Sequence, residues 1–263
     1  MIYTNINKTI FLLIFFGLFI RCKKDVKDDY VLTFSEEFND SSLNKNVWEA
    51  ANWGQTANSP NQQYFIDSAF KIFDGMLHII AKRDTVMGTV YDANYNPIQK
   101  QFYYTSGLLN TSKSFAQQYG YFEIRSKVPY GKGFWPAFWL MPFGKWPPEI
   151  DIFEISGQHP EGLHMSNHFK DKAGRDAQNT ITINGPDLSK DFHVFAVEWD
   201  PKIIKWYLDD QLVFQSESSI PQERMYIIVN LSLGGSFSGD ADASTPLPNS
   251  FDIDYIRVYK RKN

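Results

Sequence analysis

The sequence predicts an all-β fold, a sandwich or barrel of antiparallel strands. Three observations carry this expectation. No amphipathic segment of helix length follows residue 30. Short apolar runs rich in β-branched and aromatic residues recur instead, such as "FHVFAVEWD" and "MYIIVNLSLGG". Clusters of Gly, Pro, Asn, Asp and Ser separate them, the pattern of many short strands joined by turns. A length of 263 residues suits one large β domain better than two.

Taken in order, "KIFDGMLHIIAKR" reads as strand, then "GYFEIRSKVPY". Within the latter, Phe122, Ile124, Ser126 and Val128 alternate with Glu123, Arg125 and Lys127. That predicts one face in the core and one in water, as antiparallel sheets allow. "KIIKWYLDDQLVF" places Asp209-Asp210 between two alternating arms, a hairpin signal. "FDIDYIRVYKR" reads as the last strand. Three stretches read as long loops walling a cleft: "ANWGQTANSPNQQYF", "DTVMGTVYDANYNPIQKQFYY" and "DAQNTITINGPDLSKD".

The composition is that of a globular protein with a full core, 43% hydrophobic and 21% charged. Aromatics are high at 16%, enough both for core and for platforms on which flat rings stack. A net charge of -4 argues against a nucleic-acid partner and against a strongly anionic substrate. The single cysteine, Cys22, excludes an intrachain disulfide. It follows Lys8 and the apolar run Thr9 to Ile20, which is short for a bilayer span and reads as an export signal. The arrangement resembles a bacterial lipoprotein signal with Cys22 as the lipidated residue, although Arg21 stands where a small residue is usual. The expected layout is an export signal over 1–22, a polar tether over 23–29 and a domain over 30–263. An exported, cell-surface or outer-membrane lipoprotein is the expected location.

The stretch "KWPPEIDIFEISG" carries the chemistry. Glu149, Asp151 and Glu154 lie inside a run of Ile and Phe. In strict alternation Glu149 and Asp151 share one face, and Glu154 falls on the other, inside the core. One extra residue near Ile152-Phe153, a β-bulge, returns Glu154 to the acid face, and bulges are frequent beside active sites. Acids on a solvated face are the plain alternative. Against it stand Trp135, Trp139 and Trp146 close by, and no Lys or Arg between the acids. Two carboxyls flanking one bond are what glycoside hydrolysis requires, and a separation of about 5–5.5 Å gives retention. From the residues alone, which Glu attacks stays open.

At these residues the chain resembles glycoside hydrolase family 16. "EIDIFE" is similar to the family's E-x-D-x-x-E signature in its bulged form, typical of its laminarinases, agarases and carrageenases. "FSEEFNDSSLNKNVW", "YTSGLLNTSKSFAQQYGYFEIRSKVPYGKGFWPAFWLMP" and "DYIRVYK" look like further family blocks. The resemblance implies a jelly-roll sandwich of two curved antiparallel sheets with a concave substrate cleft. It implies a retaining endo-hydrolase of β-1,3- or mixed β-1,3/1,4-glucan. An endo-galactanase of the agarase or carrageenase type and a non-catalytic carbohydrate-binding jelly roll are the alternatives. It further implies Glu149 as nucleophile, Asp151 as assisting acid and Glu154 as general acid/base. Asn61, Trp135, Trp139, Trp146, His168 and Asn230 would bind substrate, and His164 would be structural. Glu37, Gly75 and Asp254 match places that hold a structural calcium ion. No catalytic cofactor is expected. The expected partner is a β-glucan chain, with a membrane touched only through a lipid anchor, and the protein is expected to be a monomer.

Overall fold

The computed structural model describes residues 26–50 and 59–262. Two sheets pack face to face. The larger runs β15 (Gln211–Ser216), β14 (Ile204–Leu208), β13 (His193–Trp199), β8 (Gly120–Lys127), β17 (Asn249–Arg261), β5 (Met76–Tyr91), β6 (Pro97–Ser106) and β3 (Gln63–Phe65). On it β1 (Tyr30–Glu36) pairs with β17, and β4 (Phe70–Phe73) with β5. The smaller runs β12 (Asp176–Asn184), β11 (Gly162–Lys170), β10 (Glu149–Ile155), β9 (Phe134–Pro142), β16 (Met225–Leu233), β7 (Leu108–Asn110) and β2 (Glu49–Ala50). Pairing is antiparallel except between β3 and β6.

Alternation sets what each strand buries. On β9 the even positions Phe138 and Leu140 enter the core, and the odd positions Trp135 and Trp139 are half-buried on the other face. On β16, Ile227, Val229 and Leu231 are fully buried opposite them. Burial of each such side chain contributes roughly 1.5–3 kcal/mol. The Asp209-Asp210 hairpin forms with both residues left-handed, at φ 47 and 61, as a two-residue turn between twisted strands requires.

Three expectations change. "DTVMGTVYDANYNPIQKQFYY" is not a loop: it is the long hairpin of β5 and β6, closed by Asp92, whose Oδ1 accepts the Asn94 and Asn96 amides. "DAQNTITINGPDLSKD" supplies β12, an edge strand that pairs with β11 along its whole length. Glu123, expected in water, is fully buried, because Lys27 Nζ at 3.1 Å and Tyr259 Oη at 3.0 Å cover that face. Within the expected tether of 23–29, Val26–Asp29 forms a 3-10 turn, and the Lys262 amide donates to the Asp29 carbonyl. Most of "ANWGQTANSPNQQYF", and Cys22 with the export signal, lie outside the described residues.

Candidate active site

The bulge on β10 is present, and it organises the site. Asp151 pairs with Ser166 and Glu154 with His164 on β11, so Ile152 and Phe153 together oppose the single residue Met165. Both enter the core. Phe153 is fully buried, with ring centroids 4.4 Å from Phe195, 5.9 Å from Phe251 and 6.5 Å from Phe138. Two consecutive core residues reset the parity, and Glu154 rejoins Glu149 and Asp151 on the open face. The bulge is also fastened from the opposite sheet. Buried Trp206 on β14 donates its Nε1–H to the Asp151 carbonyl at 2.8 Å. Sequence reasoning missed Trp206, because a contact across the core leaves no local signal.

One pocket is lined by Glu149, Asp151 and Glu154 together with Trp135, Trp139, Asn61 and Asn230. Phe65, Leu108, Ala137 and Ser232 complete it. Each Glu accepts an indole N–H: Trp146 Nε1 to Glu149 Oε2 at 3.0 Å, and Trp135 Nε1 to Glu154 Oε1 at 2.9 Å. Trp139 Nε1 donates to Asn230 Oδ1 at 2.8 Å, which fixes both. Asn61 reaches the pocket because its segment is tied to β16 by a bridge to Gly234 and by the Gln62 amide donating to the Leu233 carbonyl.

His168 Nε2 lies 3.0 Å from Asp151 Oδ2 and 3.6 Å from Glu149 Oε1. His164, expected to be structural only, stands across from Glu154 with Nε2 4.0 Å from Glu154 Oε2. Its ring is held by Thr182 Oγ1 at 2.7 Å and Thr180 Oγ1 at 2.9 Å. Burial, then the neighbouring His168, holds its pKa below the usual imidazole range. The signal for His164 was available: it lies four residues from His168 on one strand, hence on the same face. Phe237, also missed, packs against Trp135 at 5.0 Å and His164 at 5.5 Å.

All three carboxyls sit above the usual range. Burial is the largest cause for each. Glu149 is pushed up to about 9, by burial and then by Asp151, while His168 and the Trp146 N–H pull it down. Asp151 is raised well above its ordinary value by burial and then by Glu154, and it is hydrogen-bonded to Glu149. Three charges together in this space are disfavoured, so protons stay on part of the trio at neutral pH.

Glu37, Gly75 and Asp254 lie on the other sheet and its turns. The two carboxylates are engaged there: Arg257 forks Glu37 through Nε and Nη2, each at 2.7 Å, and Arg125 pairs with Asp254 at 2.5 Å. Main-chain carbonyls of Glu37 and Gly75 would have to supply most of a calcium shell. Among the described residues, the His, Asp and Glu side chains that come close enough to share an ion are Glu149, Asp151 and His168.

The model of the glycosyl hydrolases family 16 matches residues 68–257. The chain belongs to this family. Among family 16 relatives, it is 35% identical over 248 residues to the endo-1,3-1,4-beta-glycanase ExsH of Rhizobium meliloti, covering 86% of this chain and 51% of that protein. The chain thus spans about half the length of that curated relative. The laminarinase catalytic domain of Thermotoga maritima superposes with a TM-score of 0.76 at 30% identity, covering 90% of this chain and all of that one. A structure described under endo-acting O-glycanases of the human gut microbiota that initiate mucin breakdown gives a TM-score of 0.78 at 30% identity, covering 89% and 92%. These family 16 structures share the jelly-roll architecture of two antiparallel sheets seen here.

Proposed function

We propose that the protein is a retaining endo-glycoside hydrolase that cuts β-1,3- or mixed β-1,3/1,4-glucan. The observation that carries this reading is the bulge, which gathers Glu149, Asp151 and Glu154 on one open face between two indole donors. In this reading Glu149 attacks the anomeric carbon while Glu154 donates its proton to the leaving oxygen. Water then displaces Glu149, and Glu154 takes the proton back. Asp151, the most buried of the three, shares one proton with Glu149 across their hydrogen bond. When that proton moves to Asp151 and Glu154 holds its own, Glu149 is the carboxylate that attacks, and His168 and Trp146 favour its ionised form against the cost of burial. Trp135, Trp139, Asn61 and Asn230 hold the sugar rings.

The similarity to the gut O-glycanase structure favours a second reading, an endo-hydrolase of mucin glycans, beside the endo-galactanase alternative. Products from laminarin, barley mixed-linkage glucan, agarose and mucin distinguish the two. Oligosaccharides from a glucan, with the β-anomer formed first by proton NMR, support the first reading. Cleavage of agarose or mucin alone supports the second, and binding without cleavage supports a carbohydrate-binding module. The reading extends to an exported, lipid-anchored monomer with Cys22 as the acylated residue, checked by mass spectrometry of the mature N-terminus. It includes a structural calcium on the Glu37 and Gly75 carbonyls and Asp254. Calcium added after chelation should then raise Tm, and an unchanged Tm removes it.

A further inference from the structure

The catalytic pocket continues past its own rim. Asn61 lines it, and Asn61 also lines a second, neighbouring groove between residues 59–62 and β6. The floor and far wall of that groove are Lys100, Gln101, Phe102, Tyr103 and Tyr104. The path is direct: from the acids on β10 across β9 and β16 to Asn61, then onto the β5–β6 hairpin.

Three features show that this groove is built to hold something. The hairpin is braced from its other face, where the Tyr64 ring packs on Phe102 with centroids 5.2 Å apart and its Oη accepts the Thr89 amide at 3.3 Å. Gly88 leaves the room for that ring, since a Cβ there would come within 2.4 Å of it. Tyr104 is locked in place, with Arg83 Nη1 donating to its Oη at 3.3 Å. Against this rigid frame Tyr103 is 61% exposed, an aromatic face open to solvent at the groove. At the junction, Asn61 Oδ1 is buried without a hydrogen-bond partner. A buried amide oxygen left unpaired is costly, and a sugar hydroxyl passing from one pocket to the next would satisfy it.

We propose that the β5–β6 hairpin forms an outer subsite for the polysaccharide, with Tyr103 as its stacking platform, Gln101 as a hydrogen-bonding group and Asn61 as the hinge from the catalytic pocket. The proposal rests on the hydrolase reading and deepens it: the site takes sugar units remote from the cut bond. Binding energy gained there is spent at the reacting centre, so it registers in kcat/KM for long chains.

The test compares wild type, Tyr103→Ala and Gln101→Ala on laminarin and on laminari-oligosaccharides of increasing length, with Tyr95→Ala at the exposed hairpin tip as control. The expected result is unchanged cleavage of the shortest substrates and a loss of about tenfold in kcat/KM for Tyr103→Ala that opens only above a threshold length. Gln101→Ala shows the same pattern more weakly, and Tyr95→Ala shows none. An equal loss at every length, or no loss at any length, overturns the proposal while wild-type activity leaves the hydrolase reading standing. If the wild type cleaves neither polymer nor oligosaccharide, the glucan reading fails first and the subsite falls with it.

Discussion

Glu123 and Glu198 on the ten-stranded sheet are buried like Asp151 on the seven-stranded one, yet the two sets of acids are treated in opposite ways. Glu123 accepts from Lys27 Nζ at 3.1 Å and Tyr259 Oη at 3.0 Å. Glu198 accepts from Lys205 Nζ at 3.1 Å, Tyr207 Oη at 2.9 Å and Tyr30 Oη at 3.0 Å. Each has a cation and at least one phenol. The cost falls on the phenols: burial and then Glu123 push Tyr259 up to about 12, and burial with Glu198 raises Tyr30 and Tyr207 well beyond the usual range. Glu149 and Glu154 each receive one indole N–H, and the trio faces His168 and His164 instead. Their own pKa values carry the strain. A buried carboxylate matched to a cation holds the fold together. A buried trio left without that match stores a proton and a reactive oxygen, which is what acid–base and nucleophilic work needs.

The comparison can be broken from either side. On the seven-stranded sheet, Glu154→Gln should lower kcat by about 10³-fold on polymeric glucan, within the range for a lost general acid, with the fold intact by circular dichroism. A native rate would remove Glu154 from the mechanism. Asp151→Asn should cost less, on the order of 10²-fold, and should move the pH profile of kcat/KM, because the group beside Glu149 no longer titrates. A profile identical to wild type would mean that Asp151 only fills space.

On the other sheet, Lys27→Met should cost about 2–3 kcal/mol by denaturant unfolding, since buried Glu123 loses its cation partner. kcat should stay unchanged. A loss of activity at unchanged stability would couple the two sheets in a way this account does not contain.

An effect of similar size is a stability difference with pH. A carboxyl whose folded pKa is raised binds its proton more tightly in the folded state. The folded chain therefore holds more protons than the unfolded chain between the ordinary value of 4.5 and the value of about 9 for Glu149. Stability falls as pH rises through that window, and nothing is lost below it. Removing the titrating group should relieve this. Glu149→Gln should be more stable than wild type by about 2–3 kcal/mol near pH 7, and equal to it near pH 4.

The sequence made some of this legible and hid the rest for physical reasons. The bulge was readable because parity on one strand is a local property, and Glu154 broke it. The indole neighbours were readable because β9 and the loop after it lie next to the acids in the chain. Trp206 was not, since its bond to the Asp151 carbonyl crosses the core between residues far apart. Glu123 was misread because its cover comes from Lys27, outside the strand whose alternation placed it in water. The β5–β6 hairpin and β12 were misread as loops. Both expose alternate residues on a sheet edge or extension, so polar residues interrupt the apolar runs by which core strands are recognised. The shared face of His164 and His168 is legible in their spacing of four, whereas the approach of His164 to Glu154 depends on the bulge.

If the uncompensated carboxyls on β10 are kept for chemistry, they come at a cost to the fold. Kinetics and thermal unfolding of one variant, Glu149→Gln, test it most directly. The expected result is a fall of about 10⁴-fold or more in kcat together with a Tm several degrees above wild type near pH 7. A variant that still cleaves at the native rate, or that loses both activity and stability, would contradict it.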